Sequence, residues 1–327
     1  MQILKKVKVI LIMMLISFMI FGFDSLVTVN ASENISKDYS VASNNEKSDM
    51  QNQVPEESFT GLEKQSDGSW IYIQNGVFKE NFSGLVKHTD GKYYYVKNGK
   101  VDFGKTGIVK HTNGNWHYVK KGIMQPKYSG LSKHTNKKYY YVKNGKVQFY
   151  KSGLVKHTNK KYYYIEAGVK KSNYNGIAKL GTKYYKVKKG KKVGRGKSAG
   201  KLTKKELKLA ATTTARGIAA CAKRYSPNKW KQVEYASQKV YKYCKKSKYT
   251  SKGSAYREAY GPFVKKQYTC AGSTRALGLV LDYLKVPWSH ANENKWTHQW
   301  CKIKIGGKKG WADGMIGLSG KGKHAFI

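Results

Sequence analysis

The chain has 327 residues, 40% of them hydrophobic, and carries 63 Lys and Arg against 19 Asp and Glu, a formal charge of +44. That apolar content excludes a wholly disordered tail, and the length accommodates two or three domains. A positive charge of this size calls for polyanionic partners.

Lys5, Lys6 and Lys8 precede an apolar run from Val9 to Phe23, and Val29-Asn30-Ala31 supplies the small residues of a cleavage site. Residues 1–31 are expected to be a secretory signal peptide, with an uncleaved anchor as the alternative because the run is only slightly short of a span. Once the signal is removed, no second stretch approaches that length, so no stable membrane span is expected. An exported, basic chain meets envelope phosphates and acidic glycans first, which makes a cell-wall glycan or anionic wall polymer the expected partner and nucleic acid not one. Residues 32–60, rich in Ser, Asn, Glu and Gln, bury too little to repay ordering and read as a disordered linker. The basic character begins after it: 32–60 holds two Lys and six acidic residues, 61–193 holds 29 Lys and six acidic residues.

From Gly61 glycines recur at 84, 107, 130, 153 and 176, a period of 23 residues, and four units carry Lys-His-Thr at one offset. Such a period is the signature of a repeat array. Each unit has an alternating segment such as "KYYYVKNGKVDF", with Tyr93 and Tyr95 on one side and Tyr94 and Val96 on the other. Asn98-Gly99 then supplies the positive φ angles of a tight turn. One unit is one β-hairpin, too small for its own core, and residues 61–193 are expected to stack into a hairpin solenoid. His88, His111, His134 and His157 occur one per unit and read as packing residues rather than metal ligands.

These units resemble the aromatic, glycine-punctuated cell-wall-binding repeats of Gram-positive surface proteins, relatives of choline-binding and glucan-binding repeats. In the choline-binding branch tryptophans of adjacent hairpins cage a cation, whereas here Trp stands only at 70 and 116 and Tyr elsewhere. The resemblance therefore implies sugar rings stacked on Trp70, Tyr93, Tyr95, Trp116, Tyr139, Tyr141, Tyr162 and Tyr164, with phosphate held by the flanking lysines. The competing reading is that these tyrosines only pack hairpin on hairpin.

Gly194 to Gly200, "GRGKSAG", reads as a hinge, and Thr203-Lys204-Lys205-Glu206 as a capping box opening a helix, which starts a new domain at 201. That helix turns Leu207, Ala211, Thr214, Ile218 and Cys221 to one face, and a second, opening at Ser226-Pro227, buries Trp230, Val233, Val240 and Cys244. Four cysteines, 221, 244, 270 and 301, leave two disulfides or free thiols open. In "THQWCKIKIGGKKGWADGM", Cys301, Ile303 and Ile305 share a strand face and His298 and Trp300 the other. A two-residue Gly306-Gly307 turn pairs Trp300 with Asp313 and sets Asp313 diagonally beside His298. Thr269 can cap a helix with the stripe Leu277, Val280, Leu281 and Leu284, ending at Val286-Pro287, and Cys270 in its first turn lies in the favourable end of the helix dipole. A thiol, an imidazole and a carboxylate in this relation are the parts of nucleophilic catalysis.

Residues 255–317, through "CAGSTRALGLVLDYLKVP", "HQWCKI" and "GWADG", resemble the transglutaminase-like family of papain-like cysteine enzymes. The resemblance implies a multidomain chain, a β-hairpin solenoid followed by an α+β transglutaminase-like domain over 201–327. It makes Cys270 the nucleophile, His298 the general base and acid and Asp313 the orienting carboxylate, with the Cys270 N–H and the Gln267 side chain as oxyanion donors. His290 is a second, weaker candidate base. No cofactor or metal is called for. The expected activity is acyl transfer or hydrolysis on a protein or peptide amide, and the alternative is a non-catalytic adhesin that keeps the fold.

Overall fold

The computed structural model describes residues 58–295 and 297–324. The signal peptide expected at 1–31 and the linker up to residue 57 lie outside the described residues. Pro55–Ile327 forms one compact unit.

The array is built from a three-strand unit. In the first, Gly61–Lys64 pairs antiparallel with Trp70–Gln74, which pairs across Asn75-Gly76 with Val77–Phe78. Asn75 and Gly76 have φ of 53° and 72°, positive at both central positions, as a tight hairpin turn of right-handed twist demands. Each unit thus carries one strand more than a hairpin. The additional one is only two residues long in each unit up to Lys170, and it joins neighbours: Ile71 pairs with Lys100, Tyr94 with Ile123, His117 with Lys146 and Tyr140 with Val169. At each step Tyr72 N–H donates to Gly99 O at 2.8 Å, and its counterparts at 95, 118, 141 and 164 repeat the bond.

A second periodic device runs through the array. The residue before each unit glycine, Thr60, Ser83, Thr106, Ser129, Ser152 or Asn175, accepts the N–H of the turn residue 14 or 15 positions later, at 2.9–3.1 Å. A short polar side chain satisfies a backbone donor that the two-residue turn would otherwise leave open. Because Thr60 takes this role and Phe59 O accepts from Gly76 N–H, the first unit starts at 58, not 61, and the linker reading of 58–60 is corrected. The true period of the packing is also two units. Tyr72 packs tilted on Phe82, and Tyr118 stacks on Tyr128 and Tyr164 on Tyr174, with centroids 3.8–4.4 Å apart, whereas Lys105 and Lys151 occupy the intervening places.

The hinge expected at 194–200 is not one. Lys191–Lys197 is a single strand, paired with Lys183–Lys188 across a bulge that Gly194, at φ 66°, helps to form. A 3-10 turn, Ala199–Lys201, leads straight into α1 (Lys204–Tyr225), whose Thr203–Glu206 capping box is formed in both directions. α2 (Lys229–Cys244) is capped by Asn228 rather than Ser226, and α3 (Cys270–Leu284) packs on both. Thr269 stands at the N-cap with extended backbone, but its side chain makes no capping bond. Leu277, Val280, Leu281 and Leu284 of α3 are fully buried against Ala215 and Ala222 of α1 and Val233 and Val240 of α2.

The other side of α3 carries an antiparallel sheet in the order β1 (Trp288–Ala291), β2 (Trp300–Ile305), β3 (Lys308–Asp313), β4 (Leu318–Lys321). Gly306 and Gly307, at φ 56° and 78°, make the expected turn, and Ile305 faces Lys308. Cys301 is fully buried in the core, and all four cysteines are free thiols. Cys221 faces the array instead of a second sulfur, with Ser152 Oγ at 3.4 Å.

Candidate functional site

Three elements converge on Cys270. The thiol sits at the first residue of α3, where backbone N–H groups have no intrahelical acceptor. His298 lies on the segment entering β2, and Asp313 ends β3. Since the register sets Cys301 opposite Ala312, residue 313 falls beside the start of β2, and His298 Nε2 reaches Asp313 Oδ2 at 2.5 Å. His298 also hydrogen-bonds the Cys270 side chain, and with Nε2 committed to Asp313 its Nδ1 is the nitrogen left for sulfur. Thr297 O lies 4.0 Å from the same sulfur.

The carboxylate is fully buried, and Met315 N–H donates to Oδ1 at 2.8 Å. Burial alone would push the Asp313 carboxyl up, but hydrogen bonds from His298, His324 and Met315 hold it below its ordinary value. Burial pulls the His298 imidazole down; the bonds to Asp313 and Cys270 outweigh it and raise the ring to about 9. The imidazolium is therefore the resting form near neutrality, beside the Cys270 sulfur.

Gln267 lies half-buried on the two-residue strand Gln267–Tyr268, paired in parallel with Lys248–Tyr249, and among the described residues no hydrogen bond directs its amide to Cys270. His290 lies on β1, where its Nε2 meets Gln299 Oε1 at 2.8 Å, whereas it is His298 that meets Asp313. The sequence reading missed His324, buried beyond β4, with Nε2 3.4 Å from Asp313 Oδ2. Its signal was weak, a single histidine in a Gly-Lys run. The donor atoms of His298, Asp313 and His324 lie within 4.8 Å of one another, a chemically competent metal set. The 2.5 Å separation of the first two suits a shared proton; around a tetrahedral ion with bonds of about 2.0–2.2 Å donors stand further apart.

The array presents a second constellation. Trp116, His134, Tyr140 and Phe149 form a closed ring of rings: successive centroids are 5.1, 5.9, 6.0 and 6.3 Å apart and successive planes cross at 80–90°. A cation among them lies within about 6 Å of every ring, the cation–π range. A groove of about 420 Å³ opens between Trp116 and Phe149, flanked by Lys146 and Lys151. Two units earlier Trp70, His88, Tyr94 and Phe103 repeat three of these contacts at 5.0, 5.8 and 6.2 Å. The box between Tyr139 and Tyr163 already holds a cation of the chain, Lys170 Nζ, at 5.2 and 4.8 Å.

These boxes use Trp70, Trp116 and Tyr139 but not the other expected tyrosines. Tyr93 and Tyr95 pack on Leu85 and Val119, Tyr141 on Leu131, and Tyr162 on the Leu154 cluster. Tyr164 is fully buried, its hydroxyl on Glu166 and Thr213 O, so for it the ligand reading is corrected to a core role. The histidines divide: His88 and His134 wall the boxes, whereas His157 Nδ1 accepts Leu131 N–H at 3.0 Å as packing residues do.

Residues 58–77, 81–102, 104–125, 127–148 and 150–170 match the family model of the choline-binding repeat. No curated protein matches the chain. Among the described residues no helix is long and apolar enough to cross a membrane. Choline-binding repeats, a kind of cell-wall-binding repeat, are thus found over residues 58–170.

Proposed function

We propose that the protein is a secreted, surface-associated cysteine acyltransferase or hydrolase, held on wall polymers by its array and acting through Cys270, His298 and Asp313. The supporting observation is the fully buried Asp313 carboxylate 2.5 Å from His298, whose ring also bonds the Cys270 thiol at a helix start.

In this reading the Cys270 sulfur, its proton held by His298, attacks the carbonyl carbon of a carboxamide or peptide. The carbonyl π electrons move to oxygen, facing the N–H groups that open α3. Collapse breaks the C–N bond, His298 protonates the departing ammonia or amine, and a thioester remains. His298 then takes a proton from the acceptor as the acceptor attacks the thioester and expels the thiolate. A lysine acceptor gives a cross-link; water gives hydrolysis. Asp313 stays ionised and holds the ring in the orientation that serves both half-reactions.

The array supplies location. The Trp70 and Trp116 boxes suit a quaternary ammonium such as choline on a wall polymer, and the surrounding lysines suit its phosphates.

The test is brief alkylation of the mature protein near pH 6, with mass spectrometry at all four cysteines, beside His298→Ala. Rapid labelling confined to Cys270 and lost in the variant is the expected result. Labelling of Cys270 that ignores His298 would reduce the C-terminal domain to a binder. The array is tested on immobilised choline: the expected outcome is retention reversed by free choline, and elution by salt alone would leave only a polyanion-binding role.

A further inference from the structure

We propose that His324, from the segment after β4, is a positioning residue: a second nitrogen donor on Asp313 that keeps the carboxylate ionised and aimed at His298. The proposal rests on the cysteine-enzyme reading above, because it acts through that same relay.

The segment folds back from β4, with Gly322 N–H donating to Lys309 O at 3.1 Å, and delivers an imidazole with no exposed side-chain surface. The ring stacks on Trp300, centroids 4.3 Å apart at 20°, and meets Trp311 edge-on at 4.3 Å. It stands 5.8 Å from the His298 ring, and its Nε2 is 3.4 Å from the same Oδ2 that His298 holds. An apolar ring would fill this slot between two tryptophans as well. A histidine there sets a polar nitrogen beside a carboxylate that water does not reach.

That carboxylate has an exacting task. Fully buried, it must stay negative for His298 to stay protonated next to Cys270, and a buried anion is retained only with enough donors. Met315 N–H serves Oδ1 at 2.8 Å, while Oδ2 has His298 Nε2 at 2.5 Å and His324 Nε2 at 3.4 Å. Removing the His324 N–H leaves Oδ2 with His298 alone, so the proton between them drifts towards the carboxylate and the imidazolium is lost. Trp300 and Trp311 hold the ring in place, which accounts for two tryptophans on the strands that carry the relay.

The test separates the donor from the packing. His324→Phe keeps a stacked ring without an N–H; His324→Gln keeps an N–H without the ring; His324→Ala removes both. Each is compared with wild type and His298→Ala in the rate of Cys270 alkylation near pH 6, with near-UV circular dichroism as the check of folding. Phe and Ala are expected to slow labelling about tenfold, the worth of roughly one lost bond to a buried charge, with Gln within about threefold of wild type. Should Phe fail to fold, Ala against Gln carries the same comparison. A wild-type rate in Phe, or equal slowing in Phe and Gln, overturns the donor role. If His298→Ala itself labels like wild type, the relay reading fails and His324 has nothing to position.

Discussion

The raised proton affinity of His298 makes stability depend on pH in a calculable way. The ring titrates near 9 in the folded protein and near its ordinary 6.5 when unfolded. A group whose folded pKa lies above its unfolded value stabilises fully below the unfolded one and ceases to do so as pH climbs through the folded one. The window is therefore about pH 6.5 to 9. A shift of that size corresponds to about 3 kcal/mol, and the side chain is only 24% exposed, so solvent screens it weakly. The perturbation is His298→Gln, which keeps a polar group but cannot take the proton. The assay is urea unfolding followed by tryptophan fluorescence from about pH 6 to 9.5. Wild type should lose about 3 kcal/mol more than the variant across that window, and subtraction removes the tyrosines and lysines common to both. Parallel curves would refute the pairing of His298 with Asp313 and Cys270.

Trp116→Ala opens one wall of the ring box and should weaken choline binding by roughly five- to thirtyfold in a calorimetric titration, the worth of one desolvated cation–π wall. Lys170→Val replaces the ammonium between Tyr139 and Tyr163 by the residue found at the same offset, Val147, in the preceding unit, and should add one choline site to the measured stoichiometry. Glu166→Gln deprives Arg216 Nε of its carboxylate at 2.9 Å; it should cost about 2 kcal/mol, discounted from the buried-pair range because Arg216 is 35% exposed, and lower the melting temperature by several degrees. Burial pushes the Cys244 thiol up to about 12 and the Cys301 thiol well above its ordinary value, so at about pH 8 both should alkylate only after denaturation, as timed mass spectrometry would record.

The parts of this architecture that were legible in the sequence are those in which one residue determines one backbone state. Asn98-Gly99 and Gly306-Gly307 name their turns because both central φ angles must be positive. From the second turn, strand parity alone brings Asp313 to His298. The ring boxes were misjudged because parity within one unit says nothing about which face meets the next unit. The single-residue pairing of Tyr94 with Ile123 sends Tyr94, not Tyr95, to the side where His88 and Phe103 stand. The 46-residue spacing of Trp70 and Trp116, and of Phe103 and Phe149, carried that information all along. Gly194 to Gly200 misled for a different reason: glycine at 194 marks a bulged strand as readily as a hinge, and only the partner strand decides.

The partner strand also decides where the C-terminal domain begins. Ile177 and Tyr184, on the last repeat, are buried in the same core as Leu207, Ala211 and Phe263, so the final unit covers apolar surface that helix α1 would otherwise expose. The contact is polar as well: the Tyr174 hydroxyl meets Thr213 Oγ1 at 2.6 Å, and the Arg216 guanidinium lies over Tyr174 and Tyr283 while pairing with Glu166. At its far end α1 sets Arg224 3.7 Å over Phe149, a wall of the Trp116 box. A helix tied to the array at three places along its 22 residues cannot swing as a separate body. The array therefore does more than tether. It fixes the orientation of Cys270 relative to the Trp70 and Trp116 boxes, and a chain cut at residue 201 should lose both that orientation and part of its core. Thermal melting of residues 201–327 alone against the mature chain measures the second loss. Equal melting temperatures for the C-terminal transition would show that the repeats contribute position without stability.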